Sequence, residues 1–238
     1  MPSIAIRVAY LVGMLCMPAL VGCGDGSEAS APSQRSTSPA AETRALLGAI
    51  SSGGPGCTVV VVQGDRSVFS AAVGKSTLDP SRPLTVDTPV DIASTAKQFT
   101  GVAVLRLVDQ GVVGLDMPLG HYISELPAPL RTVTVRQALH HQSGIPDYVG
   151  LLASRLDDRV TNEDALRALI AAPELEFKPG SQFRYSNSNY FLLGRVVERV
   201  SGMSLARFLT RRVLAPAGAT ARFDAASTSR SYRKAGGA

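Results

Sequence analysis

The apolar residues in the first half of the chain form two short runs that lie close together. Residues 58–62 read Thr-Val-Val-Val-Val, and a second, largely apolar run occupies positions 68–73. Residues 64–66, Gly-Asp-Arg, separate the runs and are typical of a tight turn, so the pattern predicts a β-hairpin. Because the first run is apolar on both faces of a strand, we expect it to be covered on both sides. The proline-rich stretch 76–91 is predicted to be a loop.

After this hairpin the apolar positions change to helical spacing. Between residues 99 and 105 every position except Thr100 is apolar or glycine, which predicts a largely buried helix that ends at Gly111. A short helix is predicted around residues 46–50, and a second from Thr134 to about residue 140. A third is predicted after the capping-box sequence 161–164. A fourth covers about residues 190–200 and ends at Gly202, and a fifth begins after Ser204. A hairpin followed by many helices predicts an α+β fold with a helical subdomain beside a sheet.

The first 22 residues have the pattern of an export signal. Arg7 precedes an apolar run over 8–21 that is short for a membrane span, and Leu-Val-Gly stands directly before Cys23. This ending resembles the lipobox of bacterial lipoproteins, which implies cleavage before Cys23 and acylation of its sulfur and its new amino group. An ordinary secretory peptide is the alternative, and in both cases the protein leaves the cytoplasm.

The chain after the export signal divides into a tether, a folded domain and a tail. Residues 24–41 are mostly Ser, Ala, Pro and Gly, a composition that buries too little surface to fold. We therefore predict a signal peptide over 1–22, a lipidated flexible linker over 23–41, a partial folded domain over 42–224 and a polar tail over 225–238. The expected location is the bacterial cell envelope, lipid-anchored, on the periplasmic or outer face.

Composition excludes several other classes of function. The formal net charge is +5, but no basic cluster is interleaved with aromatic residues, so nucleic-acid binding is not supported. Removal of Cys16 and lipidation of Cys23 leave Cys57 alone, and we interpret it as a small apolar residue. His140 and His141 are adjacent and lack a third ligand at suitable spacing, so we expect no metal and no cofactor. The expected partners are a small-molecule or peptide substrate and, through Cys23, a membrane; the oligomeric state stays open.

Ser94 and Lys97 carry the most specific chemistry in the sequence. They are three residues apart where the apolar helix begins, a spacing that brings both side chains to one helix face. A serine beside an amine at a helix N-terminus has the groups that acyl transfer requires. A capping serine next to a solvated lysine is the alternative. The same spacing recurs in the polar tail at 231–234, where no helix is predicted to carry it.

Several ordered motifs together resemble a known family. They are Asp-Ile-Ala-Ser-Thr-Ala-Lys-Gln-Phe-Thr at 91–100, Leu-Asp at 115–116, His-Gln-Ser-Gly-Ile-Pro at 141–146 and Phe-Arg-Tyr-Ser-Asn at 183–187, followed by Tyr190 and Leu-Leu-Gly at 192–194. These motifs resemble those of the serine β-lactamase-related hydrolases, in the branch of class C β-lactamases, D,D-carboxypeptidases and related esterases. The resemblance covers about residues 41–224 and implies a β-lactamase/penicillin-binding-protein-like α+β fold.

The resemblance also implies a role for each residue that matches a motif. Ser94 would be the nucleophile that forms an acyl-enzyme, and its backbone N–H would be one oxyanion donor. Lys97 would be the general base or would lower the pKa of the serine. Tyr185 would relay the proton to the leaving group, and Asn187 would bind the substrate amide and orient Lys97. The sequence leaves open which of Lys97 and Tyr185 is the base, and His141 is expected to support its own loop.

The family places a third motif, Lys or His, then Thr or Ser, then Gly, on a strand well beyond the second. Neither Lys-Thr-Gly nor His-X-Gly follows Asn187 in this chain. We therefore expect a truncated or frameshifted product, or a fragment, that lacks the C-terminal sheet strands and turns over poorly. The leading hypothesis is an exported serine hydrolase that acts on a β-lactam, a D-amino-acid peptide or a small ester. The alternative is a non-catalytic envelope lipoprotein that binds cell-wall peptides, or a degenerate remnant of the enzyme.

Overall fold

A computed structural model of the chain describes residues 38–50, 52–155, 160–219, 221 and 223. The predicted signal peptide, Cys23, most of the predicted linker and the predicted tail lie outside these residues. The chain divides into two units, Met1–Ala49 and Ile50–Ala238, and the described residues of each are considered separately.

The first unit contributes helix α1, Pro39–Gly48. The side chain of Ser38 caps its N-terminus by accepting the Ala41 N–H at 3.3 Å, and a proline at the first helical position is well tolerated. The helix therefore begins inside the segment 23–41, which was predicted to be a flexible linker. That prediction used composition, which does not register that Ser38 and Pro39 are favourable residues for a helix start.

The second unit opens with the predicted hairpin. Strand β1, Cys57–Gln63, pairs antiparallel with β2, Arg66–Val73, in a register that places Val61 opposite Phe69. The expectation that β1 is covered on both sides is wrong for the described residues, since Val60 is 56% exposed and Val62 61% exposed. Among the described residues this sheet has two strands, so no third strand extends it.

The stretch predicted to be a loop contains a second, smaller ladder. Strand β3, Lys75–Leu78, pairs antiparallel with β4, Ser81–Pro83. The prolines do not interrupt it, because Pro80 lies in the connecting turn and Pro83 ends the strand. The prediction of a loop was therefore wrong for these two strands.

The remainder of the described chain contains seven α-helices joined by turns and loops. They are α2 Lys97–Asp109, α3 Ala128–Arg131, α4 Val135–Leu139, α5 Tyr148–Leu151, α6 Asn162–Ala171, α7 Asn187–Ser201 and α8 Leu205–Phe208. Helix α8 continues as π-helical turns over Leu209–Leu214, and short 3₁₀ turns occupy Ala93–Ala96, Leu119–His121, Ala153–Arg155 and Ala215–Ala217. Among the described residues no helix combines the length and apolar character needed to cross a membrane.

The predicted helix boundaries depend on capping residues, and the structure places these residues as expected. Thr134 forms a capping box with Gln137 at the start of α4, and Thr161 forms one with Asp164 at the start of α6. Gly202 ends α7 with a φ of 66°, in the left-handed region that glycine enters without strain.

The core forms where α2 packs against α7. Val104 and Leu107 of α2 and Leu193 and Val197 of α7 are among its buried members. Helix α2 buries only one face, since Leu105 on the opposite face is 47% exposed, so the expectation of a largely buried helix is wrong for that face. The antiparallel sheets and the helical subdomain give the α+β fold that the sequence predicts. The packing also brings the first turns of α2 and α7 together, although about ninety residues separate them.

Candidate active site

Ser94 and Lys97 are held by a turn that runs directly into α2. Ser94 lies in the 3₁₀ turn Ala93–Ala96, and Lys97 is the first residue of α2. Lys97 Nζ donates a hydrogen bond to Ser94 Oγ at 3.2 Å. Ala93 has a φ of 45°, a conformation that costs energy for a residue with a Cβ, and the Asp91 carboxylate accepts the Ala93 N–H at 2.8 Å. Backbone strain of this kind concentrates at functional sites and here immediately precedes Ser94.

The second motif reaches the same point from the start of α7. Extended backbone at Ser186 leads into the helix, with Tyr185 before it and Asn187 as its first residue. Tyr185 Oη lies 2.7 Å from Ser94 Oγ, and Asn187 Oδ1 accepts a hydrogen bond from Lys97 Nζ at 2.9 Å. The structure therefore brings all four sequence-predicted site residues of the folded domain into one hydrogen-bonded cluster.

The environment of Tyr185 favours its ionised form. Burial alone raises the pKa of this phenol, but hydrogen bonds with Lys97 and Ser94, together with the positive charge of Lys97, lower the pKa below its ordinary value of 10.0. Lys97 Nζ also lies 5.0 Å from the centroid of the Tyr185 ring, within range of a cation–π contact. A tyrosine with a lowered pKa beside a serine hydroxyl is able to accept the serine proton.

His141 supports Tyr185 rather than only its own loop. Its ring stacks on the Tyr185 ring with centroids 4.6 Å apart, and His141 Nδ1 accepts the Ser186 backbone N–H at 3.2 Å. That bond places the ring proton on Nε2. Burial and the charge of Lys97 lower the pKa of His141, so the ring is mainly neutral at pH 7.

Sequence reasoning missed one charged residue at the site. Asp147 lies at the N-cap of α5, where its Oδ2 accepts a hydrogen bond from Asn187 Nδ2 at 2.9 Å. The available signal was an aspartate directly after the quoted 141–146 motif, at a position where aspartate favours a helix start.

A small cavity lies against this cluster. It has a volume of about 220 Å³. Its lining includes the site residues Lys97 and Asn187 and the neighbouring Tyr190. Among the described residues, no group of three His, Cys, Asp or Glu side chains is arranged to hold a metal ion. The side chains that meet at this site are those of its serine, lysine, tyrosine and asparagine.

The family model described as Beta-lactamase matches residues 40–237 of the chain. The chain belongs to the beta-lactamase family. The resemblance read from the sequence motifs is thereby confirmed, and the α+β architecture is the fold of this family and of the penicillin-binding proteins.

Three similar proteins place this beta-lactamase family chain among known relatives. It is 31% identical to Protein flp of Staphylococcus aureus (strain N315) over 171 residues, which covers 68% of this chain and 33% of that protein. It is similar in structure to a penicillin binding protein from Bacillus halodurans, with a TM-score of 0.60, 33% identity and coverage of 68% of this chain and 49% of that one. It also resembles the D-amino acid amidase of Ochrobactrum anthropi SV3, with a TM-score of 0.61, 26% identity and coverage of 70% and 47%. The chain spans about a third of the length of the curated relatives it matches.

Proposed function

We propose that this protein is an exported serine hydrolase that cleaves amide or ester bonds through an acyl-enzyme formed on Ser94. The observation that carries this proposal is the contact of the Ser94 hydroxyl with two activating groups. Ser94 Oγ lies 2.7 Å from Tyr185 Oη and 3.2 Å from Lys97 Nζ. Membership of a family of serine hydrolases supports the same reaction class. The ordered cluster favours an enzyme over a non-catalytic envelope protein.

Acylation begins with Tyr185 as the phenolate and Lys97 as the ammonium. Ser94 Oγ bonds to the substrate carbonyl carbon, its proton passes to Tyr185 Oη, and the carbonyl electron pair moves onto oxygen. The start of the continuous helical segment 93–109 contributes positive potential where that oxygen becomes negative. When the intermediate collapses, the bond to the leaving nitrogen or oxygen breaks, and the leaving group takes the proton from Tyr185.

Deacylation repeats these transfers with water. A water molecule gives a proton to Tyr185 as its oxygen bonds to the acyl carbon, and Ser94 leaves and takes the proton back. Lys97 stays positively charged in both steps and stabilises the phenolate form of Tyr185. Asn187 holds Lys97 Nζ through its 2.9 Å hydrogen bond. In the proposed reaction, Asn187 also binds the substrate amide.

The proposed substrate class is a β-lactam, a D-amino-acid peptide or a small ester. The penicillin binding protein and D-amino acid amidase among the structural neighbours support β-lactam and D-amide substrates. We further propose anchoring at the cell envelope through lipid on Cys23. Metabolic labelling with a radioactive fatty acid tests the anchor, because Cys23→Ser should abolish incorporation while Cys57→Ser leaves it unchanged.

The reaction is tested with a panel of a chromogenic β-lactam, a D-alanyl amide and a p-nitrophenyl ester. The full chain and a Ser94→Ala variant are compared on each substrate, with product release followed by absorbance or chromatography. The proposal expects release that depends on Ser94. Equal release by the two proteins, or no release on any of the three substrates, contradicts it.

A further inference from the structure

The Asp147 carboxylate uses its two oxygens for two different contacts. Oδ1 accepts the Val149 backbone N–H at 3.1 Å and caps helix α5. Oδ2 accepts a hydrogen bond from Asn187 Nδ2 at 2.9 Å. Asp147 is half-buried, and its contact with Asn187 is part-buried, which strengthens a charged hydrogen bond relative to an exposed one. Capping therefore accounts for one oxygen only.

The second contact determines which way the Asn187 amide points. Asn187 lies between the Asp147 carboxylate, which only accepts hydrogen bonds, and the Lys97 ammonium, which only donates them. With the amide nitrogen toward Asp147 and the oxygen toward Lys97, both contacts are favourable. The reversed amide would set oxygen against oxygen and N–H against N–H. The carboxylate thus selects the orientation in which Asn187 accepts from Lys97.

We propose that Asp147 is a positioning residue for the acylation step, acting through the Asn187 amide to hold Lys97 Nζ against Ser94. The proposal rests on the proposed function. Asp147 contacts Asn187 rather than the reacting atoms, so its effect reaches Ser94 through the chain of three hydrogen bonds that links Asp147, Asn187, Lys97 and Ser94. Each of those bonds has a charged group on one side, and charge-assisted bonds are the strong ones.

Two substitutions of Asp147 separate the cap from the positioning. Asp147→Ser retains a short oxygen able to cap α5 but does not reach Asn187. Asp147→Asn retains the size of the side chain but replaces one carboxylate oxygen with an NH₂ group. One oxygen then remains for the two donors, Val149 N–H and Asn187 Nδ2, so at one of the two contacts N–H faces N–H. Because a hydrogen bond to a charged group contributes about 1.5–3 kcal/mol, each variant should slow acylation roughly 10- to 150-fold.

The kinetic test measures the rate at which a fluorescent penicillin acylates the full chain, or a fluorophosphonate phosphonylates it with loss of fluoride. We expect both Asp147 variants to be slow, and Thr161→Ala, which removes a helix cap elsewhere, to acylate at the wild-type rate. Wild-type rates in both Asp147 variants overturn the proposal.

A second measurement does not depend on catalysis. In ¹H–¹⁵N spectra, the side-chain amide protons of Asn187 are assigned by their loss in Asn187→Ala. One of them should be shifted downfield in the wild type by its bond to the carboxylate, and this shift should disappear in Asp147→Ser. If the shift is present and the wild type resists every acylating probe, the proposed function fails while the orientation of Asn187 by Asp147 is retained. Identical Asn187 signals in the two proteins reject the orienting role.

Discussion

Replacing Tyr185 with phenylalanine removes one oxygen from the site and leaves most other contacts in place. The lost atom is Oη, which lies 2.7 Å from Ser94 Oγ and 3.4 Å from Asn187 Oδ1. The phenyl ring retains its stack on His141, where the centroids are 4.6 Å apart. Because Tyr185 is 44% exposed, the change buries no new polar group and leaves no large cavity, so the fold should persist.

The size of the effect follows from the role of Oη as proton acceptor. Positioned general bases contribute about 10²–10⁴-fold to rate, so acylation of Tyr185→Phe should be slower by about that factor. The pH profile supplies a second signature. Since the pKa of Tyr185 lies below its ordinary value, the wild-type rate should rise with pH through that lowered pKa as the phenol loses its proton. The variant should lose this rise.

The assay is stopped-flow acylation by a fluorescent penicillin between pH 5 and pH 10, with circular dichroism to verify the fold. Tyr190→Phe is the matched control, since it removes a neighbouring hydroxyl that donates to the Leu139 carbonyl at 3.2 Å and does not contact Ser94. The control should retain the wild-type rate within about threefold, a change of less than 1 kcal/mol in barrier. A Tyr185→Phe rate within threefold of the wild type, or an unchanged pH profile, would refute the role of Tyr185 as base.

Three further changes test the structure around the site. His141→Asn keeps a residue that tolerates positive φ but removes the ring that stacks on Tyr185, so acylation should fall about 3- to 10-fold, measured with the same probe. Gly144→Ala should destabilise the protein by roughly 3 kcal/mol in urea unfolding, because φ is 74° and the new Cβ would lie 2.2 Å from the Phe177 carbonyl oxygen. Thr134→Ala should cost about 1 kcal/mol in the same assay, through loss of the α4 capping box, with acylation unchanged.

Gly101 provides the control for the glycine change. It lies within α2, and a Cβ built there meets nothing within 4 Å. Gly101→Ala should therefore stabilise the protein by about 1 kcal/mol, from the higher helix propensity of alanine. A loss of stability at Gly101, or a neutral result at Gly144, would contradict the packing described for these positions.

The parts of the fold governed by local rules were predictable from the sequence. Capping residues at Thr134, Thr161 and Gly202 mark helix boundaries through their own hydrogen bonds or backbone freedom, and the structure follows them. The hairpin turn at 64–66 was predictable for the same reason. Each of these signals lies within a few residues of the feature that it determines.

Features that depend on distant partners were not predictable in the same way. Residues 101–105 of α2 are all apolar or glycine, so this run does not indicate which face is covered, and Leu105 at its end is exposed. The β3 and β4 ladder depends on backbone pairing across a turn, and its proline content concealed it.

The site residues also differ in whether a local signal in the sequence identified them. Ser94 and Lys97 were found by their helical spacing, and Tyr185 and Asn187 by their motif. The role of Asp147 depends on a side chain forty residues away and was visible only in the fold.

The acyl-enzyme on Ser94 is tested most directly by locating the acyl group on the chain. The full protein is treated with a fluorescent penicillin, digested and analysed by tandem mass spectrometry. Ser231 offers an internal comparison, because it has the same serine–lysine spacing as Ser94. We expect an adduct on Ser94 that disappears in Ser94→Ala and is strongly reduced in Tyr185→Phe. An adduct on Ser231 or another residue, or a wild-type protein that carries none, would contradict it.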